Sequence, residues 1–167
     1  MADDGDHYRL TFDKPGTWSQ KYNLVWDRVL GLHIFPDRIA RKEVAFYLSR
    51  QQPFGLPLDS RKTYTKIDWI LWTACLADTQ EDFSRLLSPA YKYVNETEPR
   101  VHLTDWHEAT DGRSINMRAR SVVGGFFMKM LEKQMYKPSF RPEPAEEPVV
   151  EAKSTYRNPV IDYSLPD

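Results

Sequence analysis

Four carboxylates carry the first chemical suggestion in this 167-residue chain: Asp4, Asp6, Asp59 and Asp105. Paired carboxyls can activate water and protonate a leaving group. In glycoside chemistry a separation of ~5 Å or ~6.5–9.5 Å decides between a retaining and an inverting route. A carboxylate can also activate water on an amide, so the four acids are the candidate catalytic residues. Around them stand groups suited to substrate binding: His7, Arg61, Lys62, Tyr64, Lys66, Trp106 and Arg120. For any single acid the ordinary role is favoured, which is to cap a helix or to pair with Arg9, Arg61 or Arg120. As a group on one face, with Tyr64 and Trp106, they are expected to line a binding cleft.

Other engines are weaker. No Gly-x-Ser-x-Gly elbow and no Ser-x-x-Lys pair occurs. Thr63 and Thr65, flanked by Lys62 and Lys66, have the composition of a Thr/Lys nucleophile, but hydroxyls capping the following helix are the plainer expectation. Asp3-Asp4-Gly5-Asp6 lacks the remainder of a calcium loop. His102 and His107 have no cysteine partners with which to build a zinc site. We therefore expect neither metal nor cofactor. Asp27 and Asp68 fall inside apolar helices beside Trp26 and Trp69. Each is expected to be paired or hydrogen-bonded in a structural role, with Arg120 as one possible partner.

The elements that must position these groups follow from periodicity. Helices are expected at about Ser19–Leu30, Pro36–Gln51, Lys66–Ala77, Thr79–Asn95 and Arg118–Gln134. Thr17 to Gln20 fits a capping box at the first start, Gly31 ends that helix, and Pro36 suits the second start. Thr79 and Asp82 fit a box for the fourth, and Pro89 should kink it. Gly124-Gly125 weakens the fifth by ~1 kcal/mol per glycine, which points to close approach of a neighbouring backbone. Helices one, three and five are apolar on most sides, whereas two and four are amphipathic. That alternation reads as an inner layer followed by an outer one.

Connections alternate as well. Gly31–Phe35 and the region of Asp78 are short, while Met1–Trp18, Gln52–Thr65 and Thr97–Met117 are long. In antiparallel helices every second connection falls at the same end. The three long loops should meet on one face, with His107 among the acids and aromatics. Half of the 12 prolines lie beyond Met135, so residues 136–167 are expected to be an extended or disordered Pro-rich tail.

Bulk properties exclude several classes. Lys+Arg 23 against Asp+Glu 24 leaves a net charge of -1, without the basic field that nucleic-acid binding requires. No apolar run approaches the ~20 residues of a membrane span. A hydrophobic content of 41% supports a core. The single cysteine, Cys75, rules out an intrachain disulfide. With no apolar leader after Met1, the chain as written reads as cytoplasmic.

The strings ADDGDHYRL at Ala2–Leu10 and KPGTWSQKYNLVWD at Lys14–Asp27 resemble those of the fungal and bacterial glutaminase A family. So do LPLDSRKTYTKIDW at Leu56–Trp69, LTDW at Leu103–Trp106 and RARSVVGG at Arg118–Gly125. His107 departs from the pattern, where tyrosine is expected. The resemblance covers roughly Met1 to Leu131. It implies an all-α fold in which residues 1–135 form the C-terminal portion of an (α/α)6 six-hairpin toroid. It also implies hydrolysis of L-glutamine to glutamate and ammonia, in proteins that are much longer and secreted. Five helices fall short of six hairpins, so this chain is expected to be part of such an enzyme and incomplete alone. The expected partner is a small polar, glutamine-like substrate. The alternatives are a carbohydrate-active protein taking a sugar, or a non-catalytic helical module that self-associates or docks onto the rest of the ring.

Overall fold

The computed structural model describes residues 2–98 and 102–135; the segment read as a Pro-rich tail lies outside the described residues. Among the described residues there are five α-helices, α1 (Leu24–Val29), α2 (Asp37–Arg50), α3 (Ile67–Ala74), α4 (Gln80–Glu96) and α5 (Met128–Met135). A 3-10 helix, Ser121–Phe127, leads into α5. The all-α expectation is corrected by one antiparallel pair, β1 (Tyr64–Lys66) with β2 (Trp106–Glu108). Its register sets Lys66 opposite Trp106 and Thr65 opposite His107. Two of the expected long loops are therefore stitched together by a short sheet.

The amphipathic helices form where their periodicity places them. On α2, Val44, Phe46 and Tyr47 face the core. At the start of α4 the Asp82 N–H donates to Thr79 Oγ1 at 3.1 Å, and the Thr79 hydroxyl donates back to Asp82 Oδ2 at 3.1 Å. A cap of this kind contributes about 1 kcal/mol. Pro89 lies within α4 without ending it. Its missing N–H leaves the Arg85 carbonyl free, and Gln51 Nε2 donates to that oxygen at 3.2 Å.

Helix α1 is shorter than its pattern. Ser19 pairs in extended conformation with Asp59, and the Gln20 side chain turns inward instead of capping. Its amide nitrogen reaches the carbonyls of Leu56 and Pro57 and the hydroxyl of Thr65, and its oxygen accepts from Thr73 Oγ1. The fifth expected helix splits, because Val122, Val123 and the two glycines all weaken α-helix.

Helix α3 lies at the centre, packed on α1, α4, α5 and the 3-10 helix, while α2 packs on α4. One core cluster joins Trp18, Val25, Phe46, Tyr47, Leu56, Leu76 and Met128; a second joins Ile67, Ile70, Leu71, Ala90 and Tyr93. Burial of α3 on most sides is as its composition demands. The fifth helical segment is not so buried: Phe127 and Met130 are 64% and 63% exposed. Burial in the first cluster also raises the Cys75 thiol pKa to about 12, so this sulfur is an inert packing group.

The close approach expected at the glycine pair occurs at Gly125. A Cβ there would stand 2.9 Å from Asp68 Cβ and 3.1 Å from Asp68 Cα, whereas one at Gly124 would meet nothing within 4 Å. Gly125→Ala should therefore destabilise the fold by about 1–3 kcal/mol, and Gly124→Ala should leave it unchanged or firmer. Urea midpoints of the two variants check this; equal midpoints would refute the close seam.

Candidate functional site at the long-loop face

The three long loops do adjoin one another. Trp18 N–H donates to Ser60 Oγ at 3.2 Å and Gln20 N–H to the Leu58 carbonyl at 2.8 Å. Phe54 N–H donates to the Ala109 carbonyl at 2.8 Å and Ala109 N–H to that of Thr63 at 3.0 Å. The middle loop thus bridges the other two, and the candidate residues divide into three groups along it.

The first group lies against α2. Arg9 Nε donates to Asp4 Oδ1 at 2.9 Å, and the Gly16 N–H donates to the other oxygen. Gly16 and Arg9 hold the Asp4 carboxyl below its ordinary value. Asp6 is exposed and meets His7 Nδ1 at 2.6 Å. His7 is buried and stacked on Phe46, with centroids 4.3 Å apart. Among the described residues, Asp4 is bound by Arg9 and Gly16, Asp6 by His7, and His7 by Thr17 and Phe46, so this group stands apart from Asp59 and Asp105.

Asp59 and Arg61 make the second group. Asp59 is buried and takes the Arg61 backbone N–H at 2.8 Å, Nε at 3.1 Å and Nη2 at 2.6 Å. Burial pushes this carboxyl upward, but the Arg61 bonds outweigh it and its pKa is lowered. The Arg61 side chain is 67% exposed, so a mostly solvated guanidinium is aimed by a buried carboxylate. The pair borders a cleft of about 500 Å³ together with Lys21, Tyr22, Asn23 and Trp69. Lys62 is exposed at the adjacent turn.

The third group is the densest. Lys66 ends β1, Asp68 is the second residue of α3, and Asp105 precedes β2. Ile67 N–H donates to the Asp105 carbonyl at 2.8 Å, which fixes the two segments together. Asp105 is 1% exposed and carries two cations, Lys66 Nζ at 3.0 Å and Arg120, whose Nε donates at 3.0 Å and whose Nη2 binds the second oxygen. Burial raises the Asp105 pKa, yet the bonds from Arg120 and Lys66 prevail and lower it. Arg120 arrives there after Asn116, Met117 and Ala119 take φ of 41°, 60° and 54°. Left-handed backbone at such residues costs roughly 1–2 kcal/mol apiece, and strain of this kind gathers at functional sites.

Asp68 behaves in the opposite way. It is 3% exposed, Lys66 Nζ stands 3.8 Å from Oδ1, and Oδ1 has no hydrogen-bond partner. Burial raises its pKa; Lys66 opposes the shift and the Asp105 charge adds to it. Two carboxyls served by one lysine are thus pushed apart, the arrangement that separates acid from base in many sites. Asp68 borders a second cleft, of about 440 Å³, with Lys66, Trp26, Trp69, Trp72 and Phe127. Trp69 belongs to both clefts. It stacks on Tyr22 with centroids 4.3 Å apart, and Lys66 Nζ lies 4.3 Å over its ring.

Tyr64 and Trp106 pack edge to face at 5.1 Å on the sheet. Thr63 and Thr65 do not cap α3. Thr63 donates to Glu108 Oε2 at 2.7 Å, and Thr65 is buried beside Gln20. Asp27 accepts from the Ile34 and Phe35 N–H groups, which is the structural role expected of it. Asp68 was expected in the same role, and its orphaned oxygen is the feature that the sequence did not reveal. A charged residue in the first turn of an otherwise apolar helix was the available signal.

A helical-hairpin protein with a polar long-loop face is the class these observations define. The chain matches the glutaminase A six helical-hairpin domain over residues 1–130 and belongs to that family. It is 33% identical over 130 residues to the glutaminase A of Aspergillus oryzae, covering 75% of this chain and 18% of that protein. It is 30% identical over 154 residues to a probable glutaminase of Arthroderma benhamiae, covering 74% and 18%. The chain thus spans 18% of the length of each of these curated relatives. No solved structure matches it.

His107, where the family pattern suggested tyrosine, is wholly buried and stacked on Tyr93 at 3.6 Å, and its Nε2 donates to the Phe54 carbonyl at 2.8 Å. Burial lowers its pKa from 6.5 to about 4, against the Phe54 bond. A neutral native imidazole with a depressed pKa contributes its full stability above the unfolded value. That contribution is lost as pH falls from about 6.5 toward 4, by up to about 3 kcal/mol. Denaturation of the wild type and of His107→Gln between pH 4 and 7.5 checks this: the variant should show the smaller fall in stability across the window.

Proposed function

We propose that this chain forms part of a glutaminase A-like amidohydrolase that converts L-glutamine to L-glutamate and ammonia. In this reading its helices are hairpins of an (α/α)6 toroid. The observation that carries the site is the Lys66–Asp68–Asp105 cluster. Amide hydrolysis needs a group that takes a proton from water, a group that returns one to the departing nitrogen, and positive charge for the developing oxyanion. Asp68 is the carboxyl suited to move the proton. Lys66 and Arg120, held by Asp105, supply the positive field. Arg61, aimed by Asp59, suits the substrate carboxylate. The reaction balances as water oxygen bonding to the amide carbon, the C–N bond breaking, and both water protons ending on the products.

The exposed apolar side chains of the last helical segment, Phe127, Met130 and Met135 among them, support a place beside further hairpins. An apolar patch of this kind marks an interface. The stacked Tyr22–Trp69 pair is the feature that favours the second reading, a sugar substrate, because aromatic faces suit pyranose rings.

Ammonia release from L-glutamine is measured for the purified chain, and for Aspergillus oryzae glutaminase A carrying residues 1–130 of this chain in place of its own matching segment. The chimera should hydrolyse glutamine, and Asp105→Asn within it should lower kcat by about 10²–10³-fold. A folded chimera that releases reducing sugar, or no ammonia, overturns the amidohydrolase reading.

A further inference from the structure

Among the described residues of the cluster, Lys66, Asp105 and Arg120 each have a charged partner at hydrogen-bond distance, whereas the cation beside Asp68 stands beyond it. Asp105 takes both Arg120 and Lys66. Lys66 stands 3.0 Å from Asp105 but 3.8 Å from Asp68, so it does not complete the second carboxylate. Asp68 Oδ1 is buried without a donor, a position that ordinarily demands one.

The space beside Asp68 is the cleft of about 440 Å³ walled by Trp26, Trp69, Trp72 and Phe127. Trp69 stacks on Tyr22, and Lys66 Nζ lies 4.3 Å from its ring centroid. Trp26 and Trp72 meet edge to face, with centroids 5.3 Å apart, and offer aromatic surface to the same cavity. A buried anion within an aromatic wall is complementary to an organic cation, because the carboxylate supplies charge and the ring faces supply the cation–π attraction. A neutral donor would satisfy the oxygen but would gain nothing from the rings. The wall already holds one ammonium, that of Lys66 over Trp69.

We propose that this cleft is a subsite for a primary ammonium group, which on the amidohydrolase reading is the α-ammonium of an amino-acid substrate. Asp68 is its anion and Trp26 and Trp72 its wall. The assignment rests on the glutamine reading only for the ligand's identity. Asp68 has two candidate uses in the cluster, proton transfer and ammonium binding, and binding measured without turnover tests the second by itself.

The probe is n-butylammonium chloride, titrated into the full chain against its tryptophan fluorescence at constant ionic strength, with n-butanol as the uncharged isostere. The wild type should respond saturably to n-butylammonium and bind it at least tenfold more tightly than n-butanol. Asp68→Asn, with folding confirmed by near-ultraviolet circular dichroism, should abolish that preference. Equal binding of the two probes, or no saturable response, overturns the subsite without recourse to any variant. Asp68-dependent binding by a chain whose chimera releases no ammonia would leave the subsite standing and remove the hydrolase reading.

Discussion

One buried side-chain amide organises the long-loop face. Gln20 is 3% exposed, and its two ends meet four partners on three segments: the Leu56 and Pro57 carbonyls, the Thr65 hydroxyl at the middle of β1, and the Thr73 hydroxyl on α3. None of these can be given up cheaply, since an orphaned buried polar group costs about 1–3 kcal/mol. The amide fixes the height of the middle loop on α3. It thereby places Tyr22 against Trp69 and sets β1 where it can pair with β2. The inward turn of Gln20 also explains why α1 starts late: a side chain committed to the core cannot reach back to cap a helix.

A second constraint is charge cancellation. Asp4 meets Arg9, Asp59 meets Arg61 and Asp105 meets Arg120. Three acids that looked catalytic by composition are thus each held by an arginine, and a buried carboxylate tolerates its surroundings only on such terms. The first two pairs are local, five and two residues apart. The third depends on the left-handed run before Arg120. With these acids satisfied, Asp68 remains beside the Lys66 cluster as a buried carboxylate with an unpaired oxygen, a state that Glu43 Oε2 shares on α2 with Lys21 3.8 Å away.

Periodicity made α2 and α4 legible, because a one-sided apolar stripe on an outer helix is decided by local spacing, and the Thr79 cap is a local signal too. The sheet was not legible. Its strands are three residues each and some forty residues apart, too short to show alternation, and their pairing is a long-range event. The fifth helix misled because an apolar composition does not say which partner buries it. The pairing of each acid with its arginine was legible as the ordinary role of such residues. The orphaned state of Asp68 was not, because it depends on how Lys66 divides its distance between two carboxylates. The His107 environment was likewise hidden, since it rests on contacts with Phe54 and Tyr93 from other segments.

Gly125 links the site to the exposed flank. Its backbone lies against Asp68, and its Cβ position would also fall 3.1 Å from Trp72 Nε1, a buried donor without a partner. The 3-10 helix therefore roofs the two unsatisfied polar atoms of the cleft, while its last residues, Phe126 and Phe127, and Met130 and Leu131 beyond them turn apolar surface outward. Whatever packs on that flank presses on the roof of the cleft. A 3-10 segment has poorer hydrogen-bond geometry than an α-helix and its glycine pair weakens it further, so the covering of the apolar flank and the closure over Asp68 are one mechanical problem. A partner that buries Phe127 and Met130 would set how tightly Gly125 seats, and through it how accessible the Asp68 carboxylate is.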